Sequence, residues 1–432
     1  MVITDSKSGN LLGIIGRAGE KRGNRLLNHA TTPHIPASTL KPIALYAPLI
    51  DKQLINWSTV FDDVPVKFLE NNREYPKNSP DVYDGLTTVK DAIRLSKNTV
   101  AVRLSEMLTP KGIYSALVDN YGFDTLVEKD GNLTDIDTAP MALGQLCIGV
   151  PLTNMVSAYG SFASDGMFHE MRSYLSVYDH NDKLVMENKP KEKRIFKEST
   201  ARIMNRLLMN VTENGTASSI TLKNKVDTAG KTGTSSGNKD KLFIGYTPSY
   251  VAGLWCGYDN GTQIHSMSKS HLKIWDEVML KIYGDVGERE LFSTEGLEYL
   301  PYCMDSGKSF SHSCLYDPRR SRLEYGYFKA DDIKYKYSCD THIIVNYDSE
   351  NKGVVINPSE NKEYSKVSLV KNQSRSFPKE VYITDAEYVY RDVNLRYEVY
   401  LGENVPYFYS TLKDGEYVGI SNKKKQFNRL SP

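Results

Sequence analysis

Two short apolar runs flank a polar, turn-forming stretch over the first fifteen positions. Met1 to Thr4 reads as a strand, Ser6-Lys7-Ser8-Gly9-Asn10 as a turn and Leu11 to Ile15 as a second strand. From about Ser38 to Leu54 the apolar positions recur at helical spacing. The same period returns over about Val89 to Met107, Leu143 to Ala163 and Thr200 to Val211. Asp165-Gly166 and Asn214-Gly215 stop the last two. The pattern then changes. Thr228 to Thr234, Leu242 to Thr247 and Tyr250 to Tyr258 are predicted strands, and their short turns favour an antiparallel meander. Strands, a helical block and strands again predict an α+β fold, with helices packed on an antiparallel sheet.

Beyond about Phe292 the long apolar periods fade. Seventeen of the 29 tyrosines lie in residues 291–432, among many charges, which predicts short strands with a half-exposed tyrosine surface. The 432 residues suit two to three domains. The expected division is 1–290 for a main domain and 291–432 for a smaller β- and loop-rich region. No fixed-period repeat is visible.

Composition excludes several classes. Hydrophobic residues make up 40%, charged residues 25%, and mean hydropathy is -0.45, as in an ordinary globular chain. Lys+Arg 54 against Asp+Glu 53 leaves +1, so no basic field points to nucleic acid. No apolar run approaches the roughly 20 residues of a membrane span. The N-terminus lacks the basic and apolar regions of a signal peptide. Five cysteines, an odd number, argue against a complete disulfide framework.

Three short motifs carry chemistry. In Pro36-Ala37-Ser38-Thr39-Leu40-Lys41-Pro42, Ser38 and Lys41 share one helix face, and a serine hydroxyl needs a neighbour to take its proton. A lysine serves only if burial or positive charge lowers its pKa. By itself this spacing also describes a helix cap and a solvated lysine. Leu95-Ser96-Lys97-Asn98-Thr99 lies between two helical patterns. There Ser96 suits proton relay and Asn98 suits holding an amide, although both residue types also cap helices. In Gly230-Lys231-Thr232-Gly233-Thr234-Ser235, Lys231 and Gly233 face one side of a strand and the threonines the other. Gly233 permits close backbone approach, and the lysine with Thr232 and Thr234 suits a carboxylate. Taken alone, the segment is equally an edge strand with polar decoration. Together, S-x-x-K, S-x-N and K-T-G occur in the order known from penicillin-interacting serine enzymes.

The chain resembles the transpeptidase domain of a class A (bifunctional) penicillin-binding protein. The likeness includes Leu26-Leu27-Asn28-His29-Ala30, Asp91 through Leu104, Ala142-Leu143-Gly144 through Ala158-Tyr159, Glu213-Asn214-Gly215-Thr216-Ala217, Phe243-Ile244-Gly245-Tyr246-Thr247-Pro248 and Trp255-Cys256-Gly257-Tyr258. It covers residues 1 to about 285. It is looser beyond, where Arg375-Ser376-Phe377-Pro378 and Ile383-Thr384-Asp385-Ala386 look like the family's tail.

The resemblance implies that Ser38 is the acylated nucleophile, Lys41 its general base and Ser96 a proton relay. It implies that Asn98 binds the donor peptide, and that Lys231, Thr232, Gly233 and Thr234 hold the substrate carboxylate. The backbone N–H groups of Ser38 and Thr234 would form the oxyanion hole. The implied reaction is D,D-transpeptidation of peptidoglycan stem peptides ending in D-Ala-D-Ala, with D,D-carboxypeptidase action on the side and covalent inhibition by β-lactams. No metal or cofactor is implied. The implied partners are a stem-peptide donor, an amine acceptor and β-lactams. The implied location is the extracytoplasmic face of a bacterial cell membrane or wall. A bifunctional member carries an anchor and a glycosyltransferase domain ahead of this one, so the expectation is a transpeptidase domain without them.

Two rival functions remain open at this point. Glu128-Lys129-Asp130-Gly131-Asn132 has the E-x-x-x-N spacing of a deacylating β-lactamase, though its composition is turn-like. A non-catalytic β-lactam or muropeptide binder is the other. Cys303, Cys314, Cys339 and His342 also form a Cys₃His set. Their separations are not those of a standard zinc knuckle, so a disulfide or plain thiols are expected.

Overall fold

The N-terminal hairpin β1 (Val2–Asp5) and β2 (Leu11–Ile14) completes a sheet whose other strands lie more than 200 residues away in sequence. Those strands are β3 (Ala229–Thr234), β4 (Asp240–Tyr246) and β5 (Tyr250–Gly257). Strand order is β3-β4-β5-β1-β2, antiparallel throughout. Val2 opposes Gly253, and Lys231 opposes Ile244. The meander and the α+β class stand as predicted.

The computed structural model describes residues 1–20, 23–70, 73–265, 269–284, 288–317, 321–332, 335, 337–348, 353–355, 360–370 and 417–419. Residues 375–378 and 383–386, assigned above to the family's tail, lie outside the described residues. The chain divides into two compact units. One is Met1–Ile55 with Lys90–Leu297, and the other is Asn56–Val89 with Glu298–Pro432. The first unit ends at Leu297, whereas the expected main domain runs over 1–290. Residues 56–89, expected in the main domain, group with the second.

In the first unit the helices are α1 (Ala47–Asp51), α2 (Val89–Arg94), α3 (Asn98–Leu108), α4 (Pro110–Tyr121), α5 (Thr138–Leu143), α6 (Leu152–Ala163), α7 (Glu198–Asn214) and α8 (Ser270–Tyr283). Helices α6 and α7 cover one sheet face. Tyr246 of β4 packs its ring near Tyr159 and Phe162 and donates its hydroxyl to Asn205 at 2.9 Å. On the opposite face, Trp275 of α8 meets Phe243 edge-on at 5.0 Å and donates its indole N–H to the Ala252 carbonyl at 2.8 Å. The sequence pattern does not predict α4, α5 or α8.

The expected helix over Leu143–Ala163 starts only at Leu152. Gly144 and Gly149 have φ of +68° and +100°, which stops helical propagation. Between them and α6, Val150-Pro151 pairs antiparallel with Pro33-His34. The expected helix over Ser38–Leu54 is a composite. A 3₁₀ turn at Ala37–Thr39 leads into wider i→i+5 turns over Pro42–Tyr46 and then α1.

The second unit is built from small sheets. Val60–Asp63 pairs with Gly85–Thr88, and β6 (Leu297–Cys303) pairs with β7 (Leu323–Lys329). Strand β8 (His342–Asp348) lies between Ser365–Val370 and Gly353–Val355. Trp57 explains why residues 56–89 belong here. Its ring meets Tyr327 edge-on at 5.5 Å and covers Gly326, where a Cβ would come within 2.3 Å of the indole. Tyr299 and Tyr325 are exposed while Tyr302 is buried, as on a half-exposed β surface.

Candidate active site

The nucleophile candidate sits on a turn held from three directions. Ala37 has φ +46°, a backbone conformation that non-glycine residues seldom adopt. Its N–H donates to the Gly144 carbonyl at 3.1 Å. The Thr39 hydroxyl donates to the Pro36 carbonyl at 2.6 Å, and the Tyr159 hydroxyl donates to the Thr39 carbonyl at 2.6 Å. Two glycines make room for this turn. A Cβ at Gly144 would lie 2.2 Å from the Ala37 oxygen, and one at Gly233 would lie 2.6 Å from the Pro36 oxygen. Ser38 itself is half-buried.

The role of Gly144 yields a first prediction. Gly144→Ala adds a methyl group where the nucleophile turn already is, at a φ that costs an L-residue roughly 1–2 kcal/mol. Displacing a reacting group by about 1 Å can cost about 100-fold in rate. Penicillin acylation by this variant should therefore fall by roughly that factor. Stopped-flow labelling at the wild-type rate would show that the turn tolerates the methyl.

Lys41 follows the nucleophile by one turn and is buried, 1% exposed. Its Nζ donates to Asn98 Oδ1 at 2.7 Å, to the Ser96 carbonyl at 3.0 Å and to the Lys97 carbonyl at 3.4 Å. None of these acceptors is Ser38, and catalytic hydrogen bonds are often long or unformed in free enzymes. Ser96 lies in the break between α2 and α3, and Asn98 opens α3. Ser96 is left-handed, with φ +60°, and this turns its carbonyl and hydroxyl toward different partners. The hydroxyl accepts a hydrogen bond from Lys231 Nζ at 2.8 Å. Ser96 thus stands between the two lysines, one bound to its carbonyl and the other to its side chain.

Lys231 is fully buried on edge strand β3, with Gly233 buried beside it. Thr232 is half-buried and Thr234 exposed, the alternation expected of the strand. The Thr232 hydroxyl shares a hydrogen bond with that of Thr216 at 2.7 Å. In sequence, Thr216 is part of the Glu213–Ala217 stretch and carries no signal of this contact. At the rim, Ser236 donates to Gln145 Oε1 at 3.1 Å.

Burial decides the charge of this pair. It is the main cause holding the Lys41 ammonium well below the ordinary lysine range, and the charge of Lys231 adds to it. Burial alone brings Lys231 down to about 7. Both lysines contact Ser96, and the charge of Lys231 bears on Lys41, so the titration of Lys41 is linked to that of Lys231.

Glu128 stands elsewhere. It is exposed and paired with Lys111 at 2.5 Å, and Asn132 is exposed on the same loop.

A half-buried serine, a buried lysine one turn on, and a second lysine reached through a serine form the arrangement that serine acyl transfer requires, on an α+β scaffold. The chain belongs to the penicillin-binding protein transpeptidase domain family, whose model matches residues 1–269. Its relatives place it with the class A members. It is 31% identical over 342 residues to penicillin-binding protein 1A of Clostridium tetani, covering 75% of this chain and 42% of that one. It is 30% identical over 359 residues to penicillin-binding protein 1A of Clostridium botulinum, covering 79% and 41%. The chain thus spans about two fifths of the length of these relatives. Among solved structures, penicillin-binding protein 1A from Haemophilus influenzae aligns with TM-score 0.60 at 20% identity, over 75% of this chain and 52% of that one. PonA1 from Mycobacterium tuberculosis, in complex with penicillin V, aligns with TM-score 0.57 at 21% identity, over 68% and 79%. The likeness to the solved structures establishes the fold. No helix among the described residues is long and apolar enough to cross a membrane.

Proposed function

We propose that the chain is a serine D,D-transpeptidase acting on peptidoglycan stem peptides, and that β-lactams acylate it at Ser38. The observation that carries this reading is the placement of Ser96, whose carbonyl receives Lys41 and whose hydroxyl receives Lys231. Neutral Lys41 takes the Ser38 proton as Oγ attacks the carbonyl of the penultimate D-Ala. The oxyanion is received by the backbone N–H groups of Ser38 and Thr234. The proton passes through Ser96 to the departing D-Ala amine as the peptide bond breaks. The amine of a neighbouring stem then attacks the ester, its proton returns to Ser38 Oγ, and the crosslink forms. Water in place of the amine gives D,D-carboxypeptidase turnover. Lys231, Thr232 and Thr234 hold the terminal carboxylate, with Gly233 admitting the ligand backbone, and Asn98 holds the donor amide. A β-lactam opens by the same attack, but its leaving nitrogen stays tethered, so the ester persists. The chemistry belongs to the region expected as domain 1–290 and to the extracytoplasmic face of the cell membrane.

The rival hydrolase needs a carboxylate that activates water at the ester. Glu128 is the candidate by spacing, and its exposed pairing with Lys111 argues against that role. The acyl-enzyme should therefore be long-lived. Without a positioned general base, deacylation is slower by about 10²- to 10⁴-fold. Labelling with penicillin, removing excess drug and following the adduct by intact-mass spectrometry tests this. Adduct loss within seconds, slowed to hours by Glu128→Ala, would make the chain a β-lactamase. Crosslinked product from a D-Ala-D-Ala peptide and an amine acceptor separates the transpeptidase from an inert binder.

A further inference from the structure

The second unit contains none of the acylation motifs, yet it gathers the most concentrated set of metal-ligating side chains among the described residues. Cys303 ends β6, Cys314 lies in the turn His312–Tyr316, Cys339 precedes β8 and His342 opens it. All four are buried and all three thiols are free. Their ligand atoms lie within 4.8 Å of one another. We propose that Cys303, Cys314, Cys339 and His342 form a structural zinc site.

The distances have the size such a site requires. Tetrahedral zinc with Zn–S of about 2.3 Å and Zn–N of about 2.0–2.1 Å sets sulfur and nitrogen about 3.6 Å apart. His342 Nδ1 lies 3.5 Å from Cys303 Sγ and 3.5 Å from Cys339 Sγ. A disulfide, which with plain thiols is the expectation from sequence, would use two of the sulfurs and leave the third unpaired.

The outer partners point the same way. His342 Nε2 faces Asp305 Oδ2 and Asp317 Oδ2, each at 3.1 Å. An Nε2–H donating to a carboxylate leaves the Nδ1 lone pair aimed at the sulfurs, as metal-ligating histidines are held. Asp305 is clamped by Arg322 through two hydrogen bonds, at 3.1 and 2.8 Å. That clamp marks Asp305 as a support and not a ligand. The backbone around the thiols is pinned as well. Cys339 N–H donates to the Ser309 carbonyl at 2.8 Å, and the Cys314 carbonyl accepts from Arg322 N–H at 2.9 Å.

The site has four protein ligands, so it leaves no position for a reacting water. Its work is to join β6, the turn and β8, segments up to 39 residues apart, in a unit of short sheets. Bound zinc would also protect three thiols from oxidation outside the cytoplasm.

The test uses the full chain, expressed without a tag in zinc-supplemented medium and purified without chelator. Elemental analysis after gel filtration should find about one zinc per chain. Exchange with Co²⁺ should give thiolate-to-cobalt charge-transfer absorption. Cys303→Ser and Cys339→Ser should each lose the metal, while Cys147→Ser keeps it. Penicillin labelling of the Cys303 and Cys339 variants reports that the acylating unit is still folded. Because the wild-type chain alone decides, a variant that fails to fold does not protect the proposal. Wild-type protein that holds far less than one zinc and takes up no cobalt would overturn it. So would a disulfide between two of the three cysteines in non-reducing peptide maps.

Discussion

Ser38→Ala should abolish covalent labelling by penicillin altogether. The hydroxyl it removes is the one borne by the strained turn at Ala37, and nothing nearby can replace it. Lys41 is held by Ser96 and Asn98, and the Ser96 hydroxyl is bound to Lys231. Losing the nucleophile of a concerted site removes a factor of about 10⁶ in rate in comparable serine enzymes, roughly 8 kcal/mol at about 1.4 kcal/mol per tenfold. The substitution deletes one half-buried oxygen and leaves the fold intact, so non-covalent affinity for the drug should survive. Intact-mass spectrometry of the wild type should show one adduct per chain, and peptide mapping should place it on Ser38. An adduct on another residue, or a Ser38→Ala protein that still labels, would remove the basis of the assignment.

The three motifs were legible because each depends on short spacing. Ser38 with Lys41, Ser96 with Asn98, and Lys231 with its threonines are set by one helix turn, one loop and one strand. Features that depend on non-local approach were not legible. The requirement for glycine at 144 appears only when the Ala37 carbonyl is seen 2.2 Å from where a Cβ would be. The apolar run from Leu143 to Ala163 looked continuous because periodicity cannot report the left-handed glycines at 144 and 149. Residues 56–89 were assigned by chain order, whereas Trp57 is packed against Gly326 and Tyr327. The four zinc ligands were visible as residue types. Their gaps of 10 and 24 intervening residues concealed how close the loops bring them. Burial of the two lysines, which makes the chemistry workable, is likewise a tertiary property.

Lys41→Ala should slow acylation by about 10² to 10⁴, the usual contribution of a positioned general base. The pH dependence identifies which lysine does what. Burial lowers the pKa of both, so each is neutral at a lower pH than an exposed lysine. Lys41 must be neutral to accept the Ser38 proton, so acylation should rise with pH as Lys41 loses its charge. Lys231 must be charged to hold the drug carboxylate, so acylation should fall as pH passes about 7, where free Lys231 loses its proton. The second-order rate constant should therefore be bell-shaped, the two limbs belonging to the coupled pair. In Lys41→Met, which keeps the side-chain bulk, the acid limb should vanish and the residual rate should be low. Burial alone lowers Lys231, so the alkaline limb should stay near its wild-type position. A Lys41→Met enzyme that keeps both limbs at near-normal rates would mean that another group takes the proton, and the role given to Lys41 would fall.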